Sequence, residues 1–282
     1  MGKAGSTAIQ SFLNDNRGIL AKNGFVYPNM WHHLLAHKWG GGWIPQYILD
    51  RANITERWKA LQQAVAGDAR QRAFILSSER LAAAALEFND VASYIAGLFG
   101  EIPTKIVLYL RPQEDLAESE YKQRVHGGLR ISFDEYVSNL PPYFDFEALL
   151  VPWTAAFGAE NIIVRRYTRD NLVADFLEAV GIPATLPFNV SEKRMNLSLS
   201  ALSTQLIVGL RLKNNRIDRQ RIEIIRSLCD GDPRRLTSDT LREELRQRYA
   251  QSNRHVASAF FDEPELFPSR ETAPAPVQRA RA

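Results

Sequence analysis

The chain has 282 residues, 45% of them hydrophobic and 24% charged, as expected of a globular protein with one large or two small domains. Its net charge of +3 and pI near 9.0 are too mild to imply nucleic acid, and a small anionic ligand accounts for them equally well. A single cysteine, Cys229, excludes an internal disulfide and a thiol-rich metal site.

The first element is a loop, Lys3-Ala4-Gly5-Ser6-Thr7, running directly into Ala8-Ile9-Gln10-Ser11-Phe12-Leu13. A lysine, a glycine and two hydroxyls ahead of an amphipathic helix have the composition of a phosphate cradle. Glycine lets the backbone turn tightly, and the amides and dipole of the helix start favour an anion. Thr7 to Lys22 is predicted to be that helix, with Ile9, Phe12, Leu13, Ile19 and Leu20 at helical spacing. Gly24 reads as its C-cap and Phe25 to Pro28 as a short strand stopped by proline. Met30 to Gly42 carries His32, His33 and His37, then a glycine triplet that predicts a mobile loop.

Asn53 to Ala66 reads as a helix. Ala73 to Leu76 reads as a buried strand ending at Ser77-Ser78-Glu79, and Arg80 to Phe99 as one or two helices. Lys105 to Leu110 is β-branched, almost wholly apolar and stopped by Arg111-Pro112, the clearest strand in the chain. A helix over Leu116 to Val125, a strand over Asn161 to Tyr167 and a helix through Leu172 to Val180 follow. Ser198 to about Phe261 is mostly helical and arginine-rich, a solvated face or a patch for an anionic polymer.

Strands alternating with helices predict an α/β fold, a mainly parallel central sheet flanked by helices. One domain is expected over 1–267, with a disordered tail over 268–282 rich in proline, alanine and arginine. Ligands bind at the carboxyl ends of such sheets. Ser77-Ser78-Glu79, Arg111 and Arg165-Arg166-Tyr167 are therefore expected along one edge, beside Lys3. The polar start lacks a signal peptide's apolar core and no apolar run is long enough to span a bilayer, so the expected compartment is the cytoplasm.

Lys3 to Gln10 is similar to the 5′-phosphosulfate loop of the sulfotransferases that use 3′-phosphoadenosine 5′-phosphosulfate (PAPS), and Asn23 to Pro28 resembles their bacterial, carbohydrate-type branch. Tyr109 to Tyr121 resembles that family's 3′-phosphate site, a strand ending in arginine with a serine eight positions later, here Arg111 and Ser119. Asn161 to Gly181 and Asn253 to Phe267 resemble later segments of the branch. The resemblance implies a P-loop-like nucleotide-binding sulfotransferase fold. It implies PAPS as sulfuryl donor, held by Lys3, Ala4, Gly5, Ser6, Thr7, Arg111 and Ser119, and a glycan or small-molecule acceptor. Neither a metal nor a nucleic-acid partner is expected. Family members carry an apolar strand before the loop, and here only Met1 and Gly2 stand there. The expectation is a reading frame that starts upstream; the alternative is a non-catalytic nucleotide- or anion-binding protein of the same fold.

Sulfuryl transfer is an in-line displacement resembling phosphoryl transfer. Lys3 is the candidate for neutralising the leaving phosphate, and Arg111 can hold a phosphate with its bidentate fork while Ser119 donates a hydroxyl. For the base that takes the acceptor proton, Glu79 and His33 are the candidates. Glu79 reads equally well as a helix-start glutamate, and His33 and His37 are read as one helical turn apart. Trp31, Trp39 and Trp43 could stack on a sugar or pack in a core. His126 and His255 read as surface or packing residues. The order Gly-x-x-x-x-Gly-Lys-Ser/Thr is missing, which argues against a nucleotide kinase or NTPase.

Overall fold

A computed structural model of the chain describes residues 2–28, 35–38, 46–49, 51–65, 73–78, 81–88, 90–189, 198–213 and 217–268. Glu79, His32, His33, the three tryptophans at 31, 39 and 43, and the tail beyond 268 lie outside the described residues.

The single first helix expected from periodicity is two helices, α1 (Ser6–Asp15) and α2 (Arg17–Lys22). The break is at Asn16, 1% exposed. Its side-chain amide donates to the Phe12 carbonyl at 2.9 Å and the Asn189 carbonyl at 3.1 Å, and its oxygen accepts from the Asn189 amide at 2.7 Å. An asparagine that bonds backbone inside a helix competes with the helix's own ladder. The short strand β1 (Phe25–Val26) follows.

A hairpin that sequence patterning missed comes next, β2 (Leu35–Lys38) antiparallel to β3 (Gln46–Leu49). His37 is in extended backbone there, opposite Tyr47, so it does not take the helical spacing from His33 that was expected. Helix α3 (Arg51–Val65), strand β4 (Ala73–Phe74) and helices α4 (Leu81–Glu87) and α5 (Val91–Phe99) then lead into β5 (Ile106–Leu110) and α6 (Gln113–His126). Helices α7 (Phe133–Ser138) and α8 (Phe146–Phe157) had no prediction, although both are capped by local rules. Ser132 accepts from the Glu135 amide at 3.1 Å and Asp145 from the Ala148 amide at 3.1 Å. Strand β6 (Ile162–Arg166) and helices α9 (Leu172–Ala179), α10 (Ala201–Leu212), α11 (Arg219–Leu228), α12 (Asp239–Arg248) and α13 (Ala250–Phe261) complete the chain.

The fold is mixed α/β and mostly helical. Instead of one central sheet, the described strands form three two-stranded sheets. Strands β1 and β4 pair in parallel, as do β5 and β6, and β2–β3 is the antiparallel exception. Parallel pairs need long crossovers, and the helices between the paired strands supply them.

The β5–β6 pair divides the core. Side chains alternate along a strand: Ile106, Leu108 and Leu110 join a large cluster with α4 to α8, α10 and α13. Val107 and Tyr109 face a smaller cluster with α1, α2, β1 and α9. Only the second cluster touches the amino-terminal loop, through Ala4. On the far side, Arg211 of α10 is buried with its guanidinium on the Val125 and Leu129 carbonyls, where it closes the C-terminus of α6. Burial first, and then the nearby Arg130 charge, hold its pKa below the usual arginine range.

Candidate functional site

The loop ahead of α1 contains two left-handed residues, Lys3 at φ 59° and Gly5 at φ 88°. Left-handed residues interspersed in a turn aim successive amides into a concavity that suits an anion. Gly5 is also the residue that α1 starts from, its carbonyl accepting from the amides of Ala8 at 2.9 Å and Ile9 at 3.1 Å. Glycine is required here twice over. Its φ is unfavourable for any L side chain, and a Cβ would stand 2.2 Å from Leu172 Cδ2 and 2.9 Å from Tyr167 Cε2. Ala4 is buried in the smaller cluster and anchors the loop. Ser6 is half-buried and Thr7 exposed.

Arg111 follows the last residue of β5. Its Nη1 donates to the Lys3 carbonyl at 3.3 Å, across 108 positions of chain. Its guanidinium lies over the Tyr167 ring, 5.5 Å from the centroid. Tyr167 is placed by the same ladder, its amide donating to the Leu110 carbonyl at 2.7 Å just beyond β6. From the third strand end, Ser77 accepts from Gln10 Nε2 of α1 at 3.2 Å. Arg111 after β5 and Tyr167 after β6 thus meet beside the loop, while Ser77 after β4, a strand of another sheet, reaches α1 at Gln10.

The arginines of the third cluster do not join them. Alternation sends Arg165 to Asp175 at 3.7 Å and Glu178 at 3.8 Å. Asp175 also accepts from the Tyr109 hydroxyl at 2.5 Å. Burial first, and then this carboxylate, push the Tyr109 hydroxyl's pKa upward, so it stays a neutral donor. Arg166 turns to the C-terminal segment. It donates to the Leu266 carbonyl at 2.5 Å, bonds both Glu263 oxygens at 3.2 and 2.6 Å, and lies over the Phe261 ring at 4.2 Å.

Ser119 is half-buried on α6 and makes no hydrogen bond to Arg111. Its helix is held firmly by α12 and the segment before it. Glu114 accepts from Arg246 at 2.9 Å and Arg242 at 3.4 Å, and Asp115 from Arg242 at 3.1 Å. Glu118 accepts from Lys122 Nζ at 2.7 Å, Thr237 Oγ1 at 2.8 Å and the amides of Leu236 and Thr237 at 3.2 and 3.3 Å. Burial alone would raise the Glu118 pKa, but the Lys122 and Thr237 donors outweigh it and hold the carboxyl below its usual range. A depressed folded-state pKa stabilises the fold above the ordinary glutamate value of about 4.3. That stabilisation is lost as pH falls through the lower folded value. Glu118→Gln is therefore expected to be less stable than wild type at neutral pH, with the gap closing as pH falls below the ordinary glutamate value. Urea unfolding across that range checks this, and a gap independent of pH contradicts it.

Of the residues expected at the site, Lys3, Ala4, Gly5 and Arg111 are brought together, Ser6 and Thr7 follow at the start of α1, and Ser119 stands apart on α6. Glu79 and His33 lie outside the described residues. Tyr167 and Gln10 join the site without a motif of their own in the sequence. A tyrosine directly after a strand ending was the available signal for the first. Among the described residues, no group of three His, Cys, Asp or Glu could hold a metal ion.

No family model matches the chain and no solved structure does. A protein of Archaeoglobus fulgidus, described as uncharacterized, is 32% identical over 171 residues, covering 56% of this chain and 46% of that protein. The chain thus spans less than half the length of this relative. No helix among the described residues is long and apolar enough to cross a membrane.

Proposed function

We propose that the protein binds PAPS between its amino-terminal loop and the end of β5 and transfers the sulfuryl group to a hydroxyl of a glycan or small molecule. One observation carries this reading: Arg111 and Lys3, taken from the two motifs that resemble the family's two phosphate sites, are joined at 3.3 Å. The donor set fits the group. An anionic nucleotide needs backbone amides, a lysine and an arginine fork, and the chain carries all three in the loop and at the residue bonded to it.

Bound PAPS would supply the sulfuryl group. The chain's own residues do the rest. Lys3 and the amides at the start of α1 stabilise negative charge that grows on the departing phosphate. Arg111 grips a second phosphate and, through its bond to the Lys3 carbonyl, fixes the loop relative to β5. Tyr167 holds the guanidinium over its ring and limits the directions in which the fork points. Holding donor and acceptor in line is itself worth several kcal/mol of barrier. The proton of the acceptor hydroxyl goes to a base, for which Glu79 and His33 are the candidates.

The test is transfer of labelled sulfate from PAPS to a panel of glycans and phenols. Labelled product that disappears in Lys3→Ala is the expected result. A thermal shift with adenosine 3′,5′-bisphosphate but no transfer to any acceptor would favour the non-catalytic binder. Neither shift nor transfer would end the assignment.

A further inference from the structure

Seven large hydrophobic side chains are markedly exposed among the described residues, and five of them lie on the neighbouring helices α10 and α11. Leu206 and Leu210 are one helical turn apart on α10, as are Ile224 and Leu228 on α11, and Leu212 ends α10. Leu228 is 79% exposed and Ile224 52%. Exposed apolar residues scattered singly need no explanation, but a pair one turn apart on each of two helices in contact does.

The charge on this hairpin identifies what it meets. Residues 201–230 hold six Lys and Arg against three Asp and Glu, an excess equal to the net charge of the whole chain. Even with the buried Arg211 set aside, basic residues outnumber acidic ones five to three. Lys213 and Arg219 are exposed on either side of the turn between the helices. A second copy of the chain would bring like charge against like. A soluble polyanion would leave the leucines in water. A negatively charged bilayer offers both apolar depth and opposite charge.

We propose that the α10–α11 hairpin is a docking surface for an anionic membrane, with Leu206, Leu210, Ile224 and Leu228 entering the headgroup boundary and Lys213 and Arg219 meeting lipid phosphates. The protein lies on the bilayer without spanning it. This inference is independent of the sulfotransferase reading and survives its failure.

The experiment is co-sedimentation of the full chain with vesicles of phosphatidylcholine alone or with about one-third phosphatidylserine. Binding to the phosphatidylserine vesicles, weakened by high salt, is expected. Ile224→Ser with Leu228→Ser should lower the partition coefficient roughly tenfold or more, and Lys213→Gln with Arg219→Gln roughly tenfold. Ile102→Ser, at an exposed apolar position away from the hairpin, should leave it unchanged. Because the substituted positions are exposed, an unchanged melting temperature verifies that the variants fold. No binding to either vesicle, or equal binding to both, overturns the proposal. So does a concentration-dependent dimer that Leu228→Ser dissociates, which would assign the face to a second copy.

Discussion

Arg111→Ala is expected to abolish the stabilisation that adenosine 3′,5′-bisphosphate confers on the wild-type protein. Two charge-assisted hydrogen bonds to a phosphate contribute about 3 kcal/mol together, which corresponds to roughly a hundredfold in affinity. A ligand present at 100 times its dissociation constant stabilises a protein by about 2.7 kcal/mol, and the same concentration after a hundredfold loss gives about 0.4 kcal/mol. The shift in melting temperature therefore falls to near the noise of a scan. Arg111→Lys separates charge from geometry. It keeps the cation but loses the planar fork and the fit over Tyr167, so it should recover only part of the shift. The free proteins must be scanned as well, because Arg111 also ties down the loop through the Lys3 carbonyl. An undiminished shift in Arg111→Ala would show that the nucleotide binds elsewhere, and no shift in wild type at millimolar ligand would remove the nucleotide site altogether.

Gly5→Ala should be among the most damaging single-methyl additions in the chain. The left-handed backbone costs an L residue about 1–2 kcal/mol. The new Cβ also meets Leu172 Cδ2 at 2.2 Å inside a packed cluster, and overpacking of that kind costs about 1–3 kcal/mol. A loss of roughly 2–5 kcal/mol follows, or roughly 3–8 °C in melting temperature for a chain of this size. The two contributions can be separated. Leu172→Ala removes the closer clash and leaves the backbone strain and the Tyr167 contact, so the double variant should be less destabilised than the sum of the singles by more than about 1 kcal/mol. Strict additivity would mean that Leu172 does not confine Gly5. A Gly5→Ala protein within about 0.5 kcal/mol of wild type would mean that the loop does not hold this conformation.

Strand β5 was legible because five apolar residues in a row are stopped by Arg111-Pro112. The stretch before it, Arg80 to Phe99, reads as one or two helices and is two, α4 and α5. Helices α7 and α8 carried legible N-caps in Ser132 and Asp145, and reading those would have found them. The break at Asn16 was not legible, since what stops the helix there is a bond to Asn189, 173 positions away. Nor was the divergence of Arg165, Arg166 and Tyr167, three adjacent residues whose partners are an α9 carboxylate, the C-terminal segment and Arg111.

By itself the amino-acid sequence determined the local pieces: a glycine-containing turn opening a helix, an apolar strand ending in arginine, the caps, and the chemistry available at each. Steric limits on backbone angles and hydrogen bonds between near neighbours act over a few residues, and those residues are contiguous in the chain. Which pieces meet was decided only in three dimensions. The parallel pairing of β5 with β6 and the packing of Ala4, Tyr109 and Leu172 in one cluster set Arg111 against Lys3. Burial of apolar surface is non-directional and gathers side chains from anywhere along the polymer, so no stretch of sequence carries that meeting on its own.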